Sequence, residues 1–326
     1  MRRIVDVAAL VRSARAGSPR AVARLISLVE DGHPALREVM AALAPHTGRA
    51  RVIGITGSPG VGKSTSTTAI VGALRERGLR VGVLAVDPSS PFSGGALLGD
   101  RIRMQDHALD PEVYIRSMAS RGHLGGLSWT TPQAIRVLDA AGCDVVLVET
   151  VGVGQSEVEV AGLADTSVVL LAPGMGDGIQ AAKAGILEIG DVFVVNKADR
   201  DGADATVRDL RHMISLGDRS EPGLWRPPVV KTVADRREGL GEVMAALDLH
   251  LEFLTASGEL ARRRERRAAD EIEAIALASV RRRLGRLGAD ESRDADEGLG
   301  ALARSVVAGD TDPYAAADRL IGRLDR

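Results

Sequence analysis

The sequence predicts an α/β fold with a mostly parallel sheet, preceded by N-terminal helices and followed by a C-terminal helical arm. The first observation is a series of short, continuous apolar runs that alternate with helical stretches between residues 49 and 257. Such runs are typical of strands buried on both faces, as in parallel sheets. The second is a glycine-rich motif directly after the first run, and the third is the helical periodicity of the flanking regions.

Residues 1–48 are predicted to form a helical extension. Ser18 is a typical helix-capping residue, and Pro19 suits the first position of the helix that follows. One apolar stripe then recurs at helical spacing, at Val22, Leu25, Ile26 and Val29.

Residues 49–257 are predicted to form the sheet domain. Its apolar runs are, in order, VIGIT, VGVLAV, VYIRS, DVVLVE, SVVLLA, DVFVVN and PPVVKT. Because helical stretches separate these runs, an α/β arrangement with a parallel sheet is expected.

Residues 258–326 are predicted to form a helical arm. After RRRERR, a helical stripe runs through Ile272, Ile275, Ser279, Val280, Leu284 and Leu287, and a further helix is expected to end near Leu324. Helices with an apolar face and no sheet of their own must pack on the core or on another subunit. We favour an arm that joins two copies in a homodimer, and packing on the chain's own core is the alternative.

Composition excludes several classes of protein. A net charge of -2 argues against a general polyanion binder, and 2% aromatic residues leave little for stacking on single-stranded nucleic acid. Cys143 is the only cysteine, so an intrachain disulfide and a paired-thiol metal site are both excluded. Neither a signal peptide nor a membrane span is recognisable, so we expect a cytoplasmic protein without a membrane or nucleic-acid partner.

The segment from Gly57 to Ser64 has the phosphate-loop pattern, after a predicted strand and before a predicted helix. Its backbone N–H groups would surround phosphate oxygens, Lys63 would reach the outer phosphates, and the Ser64 hydroxyl would face Mg²⁺. The alternative, a glycine-rich turn that begins an ordinary helix, fits this context less well. The expected nucleotide-binding residues are Gly57, Ser58, Pro59, Gly60, Val61, Gly62, Lys63, Ser64 and Thr65.

Three carboxylates are candidate ligands of Mg²⁺ in addition to Ser64. Asp87 ends one predicted strand, Asp100 lies on a glycine-flanked segment, and Glu149 begins the sequence ETVG that ends at Gly152. Magnesium on a triphosphate takes only one or two protein groups, so the three compete for this role. Each could instead be a solvated loop end or a helix cap.

The sequence Asn196-Lys197-Ala198-Asp199 has the N-K-x-D pattern that distinguishes guanine from adenine. The Asp199 carboxylate can accept both adjacent N–H donors of guanine, and adenine lacks that pair. The Lys197 stem can cover the face of the base. The backbone amides of Thr232, Val233 and Ala234 are expected near the base oxygen, whereas the neighbouring Lys231 is assigned no role.

With these motifs in this order, the chain resembles the MeaB family of GTPases, also called ArgK-type proteins. The most specific segments are DPSSPFSGGALLGDRIRM, SMASRGHLGGLS, ETVGVGQSE and PGMGDGIQAAKAG. The resemblance implies a P-loop GTPase of the SIMIBI class, a homodimer, and a chaperone that loads, protects or reactivates an adenosylcobalamin-dependent methylmalonyl-CoA mutase. It also implies that the last segment is a mobile switch, which makes Asp177, Gln180 and Lys183 candidate catalytic residues.

The expected reaction is Mg²⁺-dependent hydrolysis of GTP to GDP and phosphate by in-line attack of water, in which Lys63 and Ser64 help to neutralise developing charge. Gln155 could position the water, Gln180 and Lys183 would need loop movement, and Arg121 is a weaker candidate for contacting phosphate. Slow intrinsic turnover that rises when the mutase binds is therefore expected.

Other functions remain open on the same phosphate loop. A transport-system protein kinase would need an acceptor site with a general base, and a metallochaperone GTPase usually carries a cluster of cysteine and histidine. A signal-recognition targeting GTPase would carry a methionine-rich module, and the seven methionines here are spread along the chain.

Overall fold

The computed structural model describes residues 5–87, 105–107, 109–119, 130–150, 156–174, 186–216, 223–289 and 298–322. The strands are β1 Arg51–Gly57, β2 Val81–Asp87, β3 Val113–Ala119, β4 Val145–Thr150, β5 Thr166–Leu171, β6 Val192–Val195 and β7 Val229–Lys231. The helices up to the last strand are α1 Val7–Arg15, α2 Pro19–Glu30, α3 Leu36–Leu43, α4 Lys63–Glu76, α5 Thr131–Ala140, α6 Ser156–Leu163, α7 Ile186–Ile189 and α8 Ala203–Leu216. After it come α9 Leu240–Ala256, α10 Glu259–Ala289, α11 Leu299–Ala308 and α12 Pro313–Gly322.

The described strands form one parallel sheet in the order β3-β2-β4-β1-β5-β6-β7. All seven apolar runs of the sequence are strands, so the predicted α/β fold is confirmed. Strand β1 lies between β4 and β5, with Ile55 beside Glu149 and Gly57 beside Leu170. The loop after β1 therefore leaves the sheet between the ends of two neighbouring strands, where open α/β sheets bind their ligands.

Helices cover both faces of the sheet. On one face, α1, α2, α3, α5 and α6 pack over a core that includes Leu25, Leu84 and Val148. On the other face, α4 and α9 pack over a core that includes Ile55, Ile70 and Leu247. A smaller cluster places α8 against β5 and β6 around Phe193. This double cover explains why the strand sequences are apolar without alternation.

The N-terminal helices form as their capping residues predict. The Ser18 hydroxyl accepts a hydrogen bond from the Ala21 amide at 3.4 Å, and Pro19 occupies the first turn of α2. Asp6 caps α1 in the same way through the Ala9 amide at 2.9 Å. These bonds satisfy amides that a helix start leaves without intrahelical partners.

The chain separates into two compact units, residues 1–263 and residues 264–326. Most of α10, together with α11 and α12, belongs to the second unit. Several of its apolar side chains are exposed in the single chain, including Ile272, Ile275, Val280, Val307 and Tyr314.

The expectation of one helix extending to about Leu324 is wrong, because the structure divides this stretch into α11 and α12. Gly309 adopts a φ of 80° and ends α11, and Pro313 begins α12. The Asp312 carboxylate caps the new helix by accepting from the Tyr314 and Ala315 amides at 2.9 and 3.1 Å. A left-handed glycine followed by a cap and a proline is a strong local signal for this break.

Candidate nucleotide-binding site

Two sequence motifs meet at the carboxyl edge of the sheet. The phosphate loop follows β1, and the loop that begins with Asn196 follows β6, two strands away. The Asn196 side chain amide donates to the Val61 carbonyl at 2.9 Å. The structure therefore brings together two motifs that lie far apart in the sequence.

The phosphate loop has a backbone that its glycines make possible. Gly57, Gly60 and Gly62 have φ values of 143°, 80° and 94°, which side chains with a Cβ rarely adopt. At Gly57, an added Cβ would lie 2.3 Å from the Leu170 carbonyl oxygen, and at Gly62 it would lie 2.4 Å from the Asn196 amide nitrogen. Gly57 therefore packs tightly against Leu170 of β5, and Gly62 packs tightly against the Asn196 side chain. Of these three glycines, only Gly60 faces open space.

Lys63 is directed into the phosphate loop. Its ammonium donates to the carbonyls of Gly57 and Ser58 at 2.6 and 3.0 Å, and the residue is buried. A buried ammonium needs such partners, because its desolvation is otherwise costly. Phosphate oxygens are stronger acceptors for the same charge, so the ammonium is placed to neutralise a bound polyphosphate.

Ser64 and Glu149 contact each other at the start of α4. The Ser64 hydroxyl donates to the Glu149 carboxylate at 2.7 Å, and both residues are buried. When serine donates its hydrogen, its oxygen retains lone pairs for a cation. A hydroxyl and a carboxylate are both oxygen donors, which fit the preference of Mg²⁺.

Of the other two candidate carboxylates, Asp87 and Asp100, the structure describes only the backbone of Asp87. Asp87 ends β2, which lies beside β4, so its backbone is at the same edge of the sheet as Glu149. Nothing is described of the Asp87 side chain, and Asp100 lies outside the described residues.

The Asn196 side chain connects three loops. In addition to its bond to Val61, its oxygen accepts from the Thr232 hydroxyl and from the Ala234 amide, both at 3.1 Å. Asn196 is buried, and its bonds to Val61 and Thr232 are shielded from water, while its bond to Ala234 is partly buried. The Ala234 amide, which the sequence places near the base oxygen, is directed to Asn196 in this structure, and Thr232 and Val233 are buried beside it.

Lys197 and Asp199 lie on the surface of this loop. The Lys197 ammonium donates to the Gly60 carbonyl at 2.6 Å, and the residue has an unusual φ of 57°. Its stem therefore runs along the phosphate loop. The Asp199 carboxylate is exposed, with the Arg236 guanidinium 3.7 Å away. It is accessible to a ligand that enters from solvent.

Three residues near this site are not singled out by the sequence: Thr56, Thr150 and Arg236. The Thr150 hydroxyl donates to the Thr56 hydroxyl at 3.1 Å beneath the phosphate loop, and both residues are fully buried. Arg236 lies two positions after Ala234, in a short 3-10 helix. A common threonine or arginine carries no signal of such a position, because only the fold brings it to the site.

Several predicted residues lie outside the described part of the chain: Arg121, Gly152, Gln155, Asp177, Gln180 and Lys183. Lys231, which was assigned no role, forms an exposed ion pair with Asp204 at 3.0 Å. Thr65 is exposed on the first turn of α4.

Cys143 is buried outside this site, and burial raises the pKa of its thiol to about 12. It is therefore a neutral thiol at physiological pH. Within the ranges given above, histidine, cysteine, aspartate and glutamate nowhere gather in a group of three or more that could hold a metal ion. Among the helices of the described residues, none has the length and apolar character needed to cross a membrane.

Comparison with known proteins agrees with this geometry. Residues 22–287 match the family model described as "Methylmalonyl Co-A mutase-associated GTPase MeaB". A putative GTPase of Pyrococcus abyssi is 49% identical over 316 residues, which are 97% of this chain and 96% of the relative. The "Methylmalonic aciduria type A homolog, mitochondrial" of Caenorhabditis elegans is 38% identical over 277 residues, which are 80% and 69% of the two chains.

A solved structure described as "Crystal structure of LAO/AO transport system kinase" has a TM-score of 0.72 and 31% identity, and the match covers 99% of each chain. The parallel sheet, the phosphate loop and the N-K-x-D loop are thus found in a chain whose relatives are named GTPases. The chain belongs to the MeaB family and is a GTP-hydrolysing P-loop protein.

Proposed function

We propose that this GTPase is a chaperone of an adenosylcobalamin-dependent mutase, methylmalonyl-CoA mutase, and that GTP hydrolysis controls loading, protection or reactivation of that enzyme. The observation that carries the proposal is the match of residues 22–287 to a family described by its association with this mutase. The name of the Caenorhabditis elegans relative refers to methylmalonic aciduria, which supports the same metabolic context. We further propose that the protein acts in the cytoplasm.

The phosphate end of the site supports nucleotide binding. Lys63 would exchange the carbonyls of Gly57 and Ser58 for phosphate oxygens, while the loop amides and the start of α4 add positive potential. Because the ammonium is already buried, it needs little reorganisation to stabilise charge that develops during phosphoryl transfer.

Ser64 is the proposed direct ligand of Mg²⁺, and Glu149 acts through it. Bound Mg²⁺ would neutralise negative charge on the phosphates. The Glu149 carboxylate accepts the Ser64 hydrogen at 2.7 Å, which orients the serine oxygen and increases its basicity. Asp87 and Asp100 remain proposed ligands beside it.

The base end supports selection of guanine. The exposed Asp199 carboxylate can accept hydrogen bonds from two adjacent N–H donors. The buried Asn196 side chain fixes the N-K-x-D loop through its bond to the Val61 carbonyl. Lys197 runs beside the phosphate loop, where its stem can cover one face of the base. The amides of residues 232–234 remain proposed neighbours of the base oxygen, which requires Ala234 to share or exchange its bond to Asn196.

The proposed catalytic residues of the switch segment are Asp177, Gln180 and Lys183, and Gln155 is a further candidate for positioning water. The described residues supply the phosphate and base contacts, while the first three come from the segment that the family resemblance identifies as a switch. We therefore propose that the mutase orders this segment and raises the rate of hydrolysis.

We propose that the C-terminal unit joins two copies in a homodimer. Its exposed apolar side chains, among them Ile272, Ile275 and Val280, support this assignment, because burial of such residues in a second copy is favourable. Sedimentation at several concentrations should give twice the chain mass, and a monomer at every concentration would contradict the homodimer.

A pull-down from the native cell tests the partner assignment. Tagged protein is loaded with GDP or with a non-hydrolysable GTP analogue, and the captured proteins are identified. A cobalamin-dependent mutase should be captured in at least one nucleotide state. Recovery of no such mutase in either state would contradict the chaperone role and leave the GTPase activity intact.

A transport-system kinase, as the solved neighbour is described, makes a different prediction. With GTP labelled at the γ-phosphate, a hydrolase releases the label as free phosphate, whereas a kinase transfers it to a protein acceptor. We expect free phosphate, and label on protein would favour the transport-kinase alternative.

A further inference from the structure

We propose that Arg236 is a built-in competitor of guanine, because its ion pair with Asp199 lowers the affinity of this carboxylate for the base of GTP or GDP. The proposal rests on the role of Asp199 as the carboxylate that reads the base. It adds a residue that weakens nucleotide binding and favours release.

The ion pair lies on the rim of the base site. The Arg236 guanidinium is 3.7 Å from the Asp199 carboxylate, and the side chains are 59% and 38% exposed. Both groups are thus partly exposed to solvent. The pair is accessible and can be broken without disturbing the core.

The backbone fixes where Arg236 can reach. The Thr232 amide donates to the Val195 carbonyl at 2.9 Å, and the Ala198 amide donates to the Thr232 carbonyl at 3.0 Å. The Arg236 amide donates to the Val233 carbonyl at 3.0 Å. These bonds join the loop that carries Asp199 to the loop that carries Arg236, so the pair results from the architecture of the site.

The neighbouring lysines have different partners. Lys197 donates to the Gly60 carbonyl at 2.6 Å, and Lys231 pairs with Asp204 at 3.0 Å. Among the described residues, the ion pair observed for Asp199 is the one with Arg236.

The chemistry of the two ligands explains the competition. A guanidinium offers parallel N–H donors to a carboxylate, and guanine offers the same kind of donor pair through its ring N–H and its amine. A carboxylate that is paired with Arg236 has part of its negative charge neutralised, so it is a weaker acceptor for guanine. Adenine does not offer this donor pair, so its weak binding does not depend on Arg236.

The expected effect is small because the pair is exposed. Exposed ion pairs contribute little, and removal of this one should tighten GDP binding by about twofold to fivefold. Salt screens exposed charges, so the difference should shrink at about 1 M ionic strength. Affinity for ADP should not change.

The first measurement is the GDP affinity of Arg236→Ala at low salt, determined by calorimetry on the full chain. The matched control is Lys231→Ala, which removes another exposed ion pair, from the residue before Thr232, and should leave GDP affinity unchanged. Unchanged or weaker GDP binding by Arg236→Ala would overturn the proposal, as would an equal gain in the Lys231→Ala control.

A second variant separates this proposal from the base-reading role. Asp199→Asn replaces the carboxylate by an amide, which suits the donor and acceptor pair of xanthine, so the variant should bind XDP in place of GDP. In this background Arg236→Ala should have no effect on XDP affinity, because the charge that it pairs with is gone. If Arg236→Ala raised XDP affinity twofold or more in the Asp199→Asn background, direct competition at Asp199 would be contradicted.

If Asp199→Asn fails to acquire xanthine binding, the base-reading role itself is wrong. If it acquires xanthine binding but Arg236→Ala does not tighten GDP binding to the natural site, only the competitor role is wrong. Neither result bears on capture of the mutase, which tests the chaperone function separately.

Discussion

The amide of Asn196 donates to the carbonyl of Val61 at 2.9 Å, across 135 residues of sequence. The same side chain accepts from Thr232 and Ala234. One buried residue thereby joins the phosphate loop to the N-K-x-D loop and to the loop of residues 232–234.

Asn196→Ala should therefore reduce both stability and nucleotide affinity. It leaves the Val61 carbonyl and the Ala234 amide without this partner, and each buried polar group left unsatisfied costs about 1–3 kcal/mol. We expect the free energy of unfolding in urea to fall by about 2–4 kcal/mol. Asp199→Ala is the control, because it is exposed and should lower GDP affinity with little change in stability. Equal stability of the two variants would contradict this account.

The contact between Gly62 and Asn196 makes a second prediction. An alanine at position 62 would place its Cβ 2.4 Å from the Asn196 amide nitrogen at a φ of 94°, so the phosphate loop must shift. Gly62→Ala should lose GDP binding in calorimetry. Gly60→Ala is matched in backbone strain, with a φ of 80°, but meets open space, and should retain more of its affinity. If Gly60→Ala bound GDP more weakly than Gly62→Ala, the contact between Gly62 and Asn196 would not be the cause of the lost affinity.

The pairing of Ser64 with Glu149 predicts how Mg²⁺ dependence changes. Glu149→Gln keeps an oxygen that can accept from Ser64 but removes the negative charge, so binding of Mg²⁺ with nucleotide should need about tenfold more Mg²⁺. A titration of fluorescent GDP binding with MgCl₂ measures this without relying on hydrolysis. Glu252→Gln, on an exposed position of α9, should behave like the natural protein. Identical Mg²⁺ dependence of both variants would rule out the role of Glu149.

A buried cluster at the opposite edge of the sheet predicts an acid dependence of stability. Asp191 accepts from Arg263 at 2.9 and 3.0 Å and lies 3.3 Å from His250. Burial by itself raises the pKa of Asp191, but the nearby His250 ring and the hydrogen bonds from Arg263 outweigh it, so the pKa lies below its ordinary value.

A lowered pKa means that the unfolded chain binds the proton more tightly than the folded one. The contribution of Asp191 to stability is therefore complete above pH 4 to 5, roughly, and is lost as the pH falls below that range. Asp191→Asn should cost about 3 kcal/mol at neutral pH, because Arg263 loses the buried negative charge with which it pairs. Denaturant unfolding from pH 3 to 7 should show a flatter profile for this variant, and parallel profiles would contradict the assignment.

Most of the sheet could be predicted from the sequence, because each strand is an unbroken apolar run and the phosphate loop stands between a strand and a helix. Gly78, with a φ of 78°, follows the end of α4, as its position after Arg77 predicts. The break between α11 and α12 was missed, although Gly309 and Pro313 signalled it.

Contacts between distant residues could not be predicted. Asn196 was recognised as part of a motif, but its bonds to Val61 and Ala234 depend on the order of strands in the sheet. The same holds for Asp191, where a carboxylate at the start of a strand meets His250 and Arg263 from two later helices. A single sequence carries no periodicity or motif that links such residues.

The rate of a single turnover of GTP, with and without methylmalonyl-CoA mutase, tests the central claim most directly. Hydrolysis should be slow for the protein alone and should rise when the mutase is added, and Lys183→Ala should lose the rise while GDP affinity stays the same. Equal rates with and without the mutase would contradict partner-gated hydrolysis.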